Sequence, residues 1–344
     1  MLEEDEIKQV DKSNMITYYS SWNKLFREAL KIDITLPPLR EYDNLIFGGM
    51  GGSIIAGELI ADWIYPKAKI PSLIVKDYHL PFFADSNSLI IVASVSGETE
   101  ESLSLLREAK ERGCGCVALS SGGRMESYSK EQNLPHIKIE RGLAPRAALP
   151  FLLVPEILLL KDLKILDKEL IKEFFDSFIF LDDLSNSFKP SSPFEENLAK
   201  KVAFSYYNKR IVTYASSEIK GLAFRFKASV NENAKMSMQL ELLPELCHNE
   251  IESWEGDKDR LALLIKREEE REEIRKRFHI IKEMLQAKGV EILEVNLKGK
   301  GFQAILYGLY LLDFSSLYAA ILRGIDPLPT KNIDKFKELL ATQR

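Results

Sequence analysis

Two short segments have the residue types and spacing to hold an anion. GGMGGS places Gly51, Gly52 and Ser53 where an apolar strand starting at Asn44 gives way to a helix. SVSGET sets Ser94, Ser96, Gly97 and Thr99 after the apolar run SLIIVA. A strand that ends in Gly or Ser and opens a helix leaves backbone N–H groups free and aligned. The helix dipole adds partial positive charge at the same place. Hydroxyls at alternate positions and a Thr at the helix start add donors for one phosphate. In a parallel sheet both loops fall at the carboxyl ends of strands, where ligands bind. Taken singly, GGMGGS also reads as a tight turn and SVSGET as helix capping. Two such loops on successive strand ends point to a phosphate. The dinucleotide pattern G-x-G-x-x-G starts at Gly49 and Gly51 but meets Ile54 at its third position, which disfavours a nicotinamide dehydrogenase.

Binding is not yet catalysis, and a few charged residues stand apart. Glu232 lies in NENAK, flanked by two Asn in an apolar, amide-rich stretch. An acid there is either a desolvated general base or a surface acid at a helix start. Arg146, between Pro145 and Ala147 in a charge-poor segment, wants an anion: a ligand or a carboxylate across a domain boundary. There are four histidines, His79, His136, His248 and His279, and no HExxH or ligand-spaced pair. No metal and no cofactor are expected.

The elements that must position these residues read as two α/β halves. Strands NLIFGG, SLIVKDY, SLIIVAS, CVALSS and HIKIER alternate with helices in the first. Residues 147–182 turn helical, and the Ser/Pro-rich stretch 184–197 reads as a loop. RIVTYASSE, RLALLIK and VEILEVNL then resume the strand rhythm. KREEEREEIRKRF reads as a solvated helix face with favourable pairs Glu272–Lys276 and Glu273–Arg277. Alternation of this kind predicts parallel sheets flanked by helices.

The chain has 344 residues, about two domains' worth. Lys plus Arg is 47 and Asp plus Glu is 52, for a formal charge of −5. That balance does not suit general nucleic-acid binding. Cys114, Cys116 and Cys247 are too sparse and odd for a disulfide framework, and no signal peptide is visible, so a cytoplasmic location is expected. The apolar stretch 304–322 contains Asp313 near its middle, so it reads as a buried helix and not as a membrane span.

SVSGET after an apolar strand resembles the phosphosugar-binding signature of the sugar isomerase (SIS) domain. APRAALP at 144–150, NENAK at 231–235, CHNEIESWE at 247–255 and LRGIDPLPTKNIDKFKELL at 322–340 narrow the likeness. Together they resemble the bifunctional phosphoglucose/phosphomannose isomerases, over roughly residues 40–340. The resemblance implies two SIS subdomains, set here at 1–155 and 156–344. It implies a cofactor-free enzyme interconverting glucose 6-phosphate and mannose 6-phosphate with fructose 6-phosphate through an enediolate.

Residue by residue, it implies that Gly52, Ser53, Ser94, Ser96 and Thr99 hold the phosphate and that Glu232 is the base. Arg146 would lie near the C1–C2 oxygens. His248, donated by the neighbouring subunit of a homodimer, and Lys337 would open the sugar ring; Lys335 is the rival for that lysine. Thr330 would leave room for both C2 epimers. Unaided, Lys337 reads as a solvated helix lysine and Thr330 as a helix cap. Where the family often has SYSGNT, this chain has Val95 and Glu98, and Glu98 is expected to point away from the phosphate. The rival function is a non-catalytic SIS-domain sensor of sugar phosphates. Such sensors normally carry a DNA-binding helix-turn-helix, which the acidic residues 1–40 do not suggest.

Overall fold

Strands alternate with helices through two stretches of chain, and each stretch closes its own parallel sheet. The computed structural model describes residues 1–343. Three short helices, α1 (Glu4–Val10), α2 (Met15–Ser20) and α3 (Trp22–Ala29), come first. The first sheet follows: β1 (Asn44–Gly49), α4 (Ile55–Ile64), β2 (Ser72–Val75), β3 (Ser88–Ala93), α5 (Glu100–Glu111), β4 (Gly115–Ser120), α6 (Gly123–Glu131) and β5 (His136–Lys138). Its strand order is β2-β1-β3-β4-β5. The chain builds outward in both directions from β1 and β3, so a crevice opens between their carboxyl ends. Register sets Gly49 level with Ala93, which puts the two glycine/serine loops side by side.

Helices α7 (Leu149–Asp162), α8 (Lys168–Ser177), α9 (Leu181–Phe188) and α10 (Leu198–Tyr206) connect the halves. The boundary expected between residues 155 and 156 falls inside α7. The loop expected over 184–197 is shorter than read, because α9 continues to Phe188 and buries Leu184 and Phe188. The second sheet comprises β6 (Ile211–Ser216), α11 (Lys220–Asn233), β7 (Met238–Leu243), β8 (Leu261–Arg267), α12 (Glu272–Ala287) and β9 (Glu291–Leu297), in the order β7-β6-β8-β9. On α12, Lys276 reaches Glu272 at 3.6 Å, whereas Arg277 turns to the Glu273 carbonyl at 3.0 Å. Helices α13 (Gly301–Leu322) and α14 (Lys331–Ala341) end the described chain.

Helix α13 is the axle of the molecule. Its 22 residues are long and apolar enough to cross a bilayer, yet 89% of its most apolar window is buried inside the protein. Helices α8, α9, α10 and α11 surround it. The N-terminal helices close the remaining side. Trp22 meets Tyr310 edge-on at 5.7 Å, and Tyr19 meets Phe314 at 6.3 Å. Ser13 Oγ donates to Asp326 Oδ2 at 2.7 Å, tying the two ends of the chain together.

The halves are also joined where α4 meets the start of α11. The Gly221 N–H donates to Asp62 Oδ2 at 2.6 Å, and Lys220 Nζ lies 3.8 Å from the other oxygen. Burial outweighs both partners and pushes the Asp62 carboxyl up to about 7. The unfolded chain loses this proton near about pH 4. Between those values the folded state binds more protons, so stability falls as pH rises through the window. Asp62→Asn keeps an acceptor for Gly221 and removes the titration. Urea midpoints at about pH 5 and about pH 8 should therefore drop less in the variant than in the parent. An equal drop in both would assign the pH dependence elsewhere.

Candidate active site

The two loops at the β1 and β3 ends are bound to each other before any ligand arrives. Ser53 Oγ accepts from the Val95 N–H at 3.1 Å, so one loop supports the other. Ser94 Oγ accepts from Gly97 N–H at 3.1 Å and donates to Thr99 Oγ1 at 3.0 Å. Ser96 Oγ accepts from Glu98 N–H at 3.2 Å. The loop turns tightly because Gly97 adopts φ 71, and a Cβ there would sit 1.9 Å from the Gly122 carbonyl oxygen. Only glycine fits. Thr99 then caps α5 at its N-terminus, where the helix dipole favours negative charge.

Glu98 does face away from this cradle. Arg124 donates to it through its backbone N–H at 3.0 Å and its Nε at 2.8 Å, holding the carboxylate against α6.

The first loop also packs on the arginine segment. A Cβ on Gly52 would lie 3.3 Å from the Arg146 nitrogen. Arg146 is 3% exposed, and its guanidinium joins two distant segments. Nε donates to Asn233 Oδ1 at 2.7 Å and Nη1 to Glu232 Oε2 at 3.2 Å. Nη2 donates to the carbonyls of Pro327 and Leu328 at 2.7 and 2.8 Å. Lys235 Nζ donates to the same Pro327 carbonyl at 3.2 Å and to the carbonyl of Glu232. The Glu232 side chain stays 25% exposed, on the last turn of α11. It is a carboxylate open to a ligand with a fixed cation at its side.

Behind Arg146 lies a buried polar network. Arg225 Nε donates to both Asp313 oxygens at 3.2 and 3.1 Å, and Ser229 Oγ donates to Asp313 Oδ1 at 2.5 Å. Arg225 Nη2 donates to the Arg146 carbonyl at 2.5 Å, and Tyr19 Oη donates to it at 3.3 Å. Asn233 Nδ2 donates to Ser316 Oγ at 2.8 Å, which fixes the amide that holds Arg146. Burial drives the Tyr19 phenol well above its ordinary value, so it remains a donor. These groups came without a signal in the sequence. Asn233 and Lys235 sit inside NENAK, and Asp313 was noticeable only as an acid in an apolar helix.

The remaining expected residues are placed apart. Thr330 directly precedes α14, with Oγ1 3.5 Å from Asp334 Oδ1. Lys337 is exposed on α14, a helix with no buried residue, and makes no ion pair among the described residues; Lys335 pairs with Glu338 at 3.5 Å. His248 is exposed in a 3-10 turn beyond the carboxyl end of β7, whereas Glu232 precedes the amino end. The chain thus brings together the two loops, Arg146, Glu232 and the segment leading to Thr330, while His248 stands exposed in the turn after β7.

Comparison with known proteins identifies the family. The profile of the bacterial phospho-glucose isomerase C-terminal SIS domain matches residues 195–340. A bifunctional phosphoglucose/phosphomannose isomerase from Caldicellulosiruptor bescii is 33% identical over 307 residues, 88% of this chain and 90% of that protein. One from Aquifex aeolicus is 32% identical over 309 residues, 88% and 92% of the two chains. Among solved structures, the C-terminal domain of glucosamine-fructose-6-phosphate aminotransferase from Francisella tularensis superposes with a TM-score of 0.71 at 15% identity. It covers 92% of this chain and 98% of that one, a likeness of fold. With a double-sheet fold, a two-loop cradle and full-length likeness of this degree, the chain belongs to the bifunctional phosphoglucose/phosphomannose isomerase family.

Proposed function

We infer that this protein is an aldose–ketose isomerase that interconverts glucose 6-phosphate and mannose 6-phosphate with fructose 6-phosphate. The observation that carries the reading is the Glu232 carboxylate 3.2 Å from the buried Arg146 guanidinium, on a segment packed against the phosphate cradle. The phosphate sits at the carboxyl ends of β1 and β3, taking donors from Ser53, Ser94, Ser96, Thr99 and the Gly52 turn. Glu232 removes the C2 proton of either aldose and returns it to C1. Negative charge develops on the C1–C2 oxygens, and Arg146 supplies the matching positive charge without reorganising. Glucose and mannose phosphates differ only at C2, so loss of that proton gives one common enediolate, and Thr330 borders the space for either epimer.

Ring opening comes before proton transfer. It needs a group that exchanges protons with O5 and O1 near neutral pH, which suits His248. In this reading the histidine comes from the other subunit of a homodimer, and its exposure in the turn after β7 leaves it free to reach a neighbour. Lys337, uncommitted on α14, assists it. In this reading Glu232 supplies the base and Arg146 the positive charge for the enediolate, so the proposed route uses no cofactor and no metal. The cytoplasm is the proposed compartment, in keeping with three unbridged cysteines.

Steady-state kinetics of purified protein with both aldose phosphates, coupled to detection of fructose 6-phosphate, tests the reading. Both substrates should turn over, and both rates should survive dialysis against EDTA. Loss of turnover that zinc restores would overturn the metal-free mechanism. No turnover of either aldose would leave the non-catalytic sensor as the better reading.

A further inference from the structure

Glu232 stands where a helix least favours an acid. It lies on the last turn of α11, where unpaired carbonyls carry partial negative charge. That turn contains no basic residue of its own. Cations from outside the helix answer the charge. Arg146 reaches the carboxylate, and Arg323 Nε donates to the Ala234 carbonyl at 3.1 Å. Lys235 Nζ donates to the Glu232 carbonyl and, at 3.2 Å, to the Pro327 carbonyl.

The backbone singles out Lys235. It follows the helix in the left-handed conformation, with φ 54. Glycine is the usual residue there, because a Cβ is strained. The residues in the same place after α5, α12 and α13 are Gly113, Gly289 and Gly324, with φ 70, 73 and 67. Lys164, just past α7, also departs from glycine, with φ 59. Among the described residues its side chain makes no hydrogen bond or ion pair. The fold therefore tolerates lysine at such a turn, but of these two only Lys235 folds its ammonium back onto its own helix.

Its placement also works against charge. The Pro327 carbonyl already accepts from Arg146 Nη2 at 2.7 Å, so two cations converge on one oxygen. Burial and the Arg146 charge hold the Lys235 ammonium below its ordinary value, with Glu232 and Asp326 opposing them. What the lysine gains in return is a bridge between two segments, the helix end that carries Glu232 and the turn that leads to Thr330.

We propose that Lys235 is a positioning residue for the isomerase reaction, clamping the last turn of α11 to the Pro327 turn so that the Glu232 carboxylate is held at its working angle. The proposal rests on the reading of Glu232 as the base. Lys235 does not touch the substrate; it acts through Glu232.

Kinetics of Lys235→Met test it. The variant should lose about 10- to 100-fold in kcat with both aldose phosphates, the scale of a small misplacement at a reacting centre. KM should stay within about twofold, since the proposed phosphate site is elsewhere. The acid limb of kcat/KM should move to higher pH, because the carboxylate loses a neighbouring cation. Arg146 still faces it, with Arg225 and Tyr19 behind. Lys235→Arg keeps a donor for both carbonyls and should recover part of the loss. Lys164→Met, at the matching turn, should leave kcat unchanged. Lys235→Gly supplies the residue the turn favours, so a fall in kcat without a lower urea midpoint separates positioning from folding.

A second cycle separates this inference from the reading beneath it. If Lys235 acts through the base, Glu232→Gln with Lys235→Met should be no slower than Glu232→Gln alone. A further loss in the double variant would give the lysine a role of its own and overturn the proposal. Full kcat in Lys235→Met beside an inactive Glu232→Gln would also overturn it and leave the base standing. An active Glu232→Gln would instead reject the base, and with it the clamp.

Discussion

Replacing Glu232 with Gln should lower turnover of both aldose phosphates by about 10²–10⁴-fold, the usual contribution of a positioned general base. The amide keeps an oxygen that can accept from Arg146 Nη1, so the site's geometry should survive the change. KM should move little, because the proposed phosphate site is the pair of loops at β1 and β3 and not this carboxylate. The loss should be the same for glucose 6-phosphate and mannose 6-phosphate, since both pass through one enediolate. In deuterated water, whatever reaction remains should no longer carry the C2 proton to C1. A variant that kept one activity and lost the other would mean two bases, and the single-enediolate mechanism would have to go.

The second large effect is on stability. Asp313 and Arg225 are fully buried and satisfy each other. Asp313→Leu leaves the Arg225 charge in the interior without its counter-ion, which typically costs about 3–5 kcal/mol. Urea unfolding should show that loss as a lower midpoint at unchanged slope. The double variant Arg225→Met with Asp313→Leu removes both charges and should recover much of the loss, because an apolar pair needs no compensation. Recovery would be incomplete: Arg225 also donates to the Arg146 carbonyl, and Ser229 loses its acceptor. A single variant as stable as the parent would mean that water reaches the pair.

The legible parts of this protein are those whose chemistry is local. The form of GGMGGS and SVSGET is legible because strand, turn and helix start are consecutive in sequence. The outward turn of Glu98 was likewise legible. The illegible parts depend on distant segments. Arg225 and Asp313 are 88 positions apart, and neither residue alone signals the other. Arg146 is held by the carbonyls of Pro327 and Leu328, backbone groups that any sequence would supply. Strand β7 escaped notice because MQLELL is a single-neighbour edge strand with polar residues at Gln239 and Glu241 and no glycine turn on either side. The helical residues 184–188 were hidden by the Ser/Pro-rich stretch that follows them.

The contact of α2 and α3 with α13 bears on how the protein is made. Tyr19 and Trp22 are synthesised well before two of their partners, Phe314 and Tyr310. Synthesis of the intervening stretch, at about 5–20 residues per second, takes roughly 15–60 s. Throughout that time the side of Tyr19 and Trp22 that faces α13 has no native partner, although α3 can already pack on α7 and the first parallel sheet can close. Tyr19 is also one of the two donors to the Arg146 carbonyl. The nascent chain can therefore form the loops at β1 and β3 early, but it completes the setting of Arg146 only when Pro327 and Leu328 arrive, and a product truncated before them would keep the loops and lose that setting.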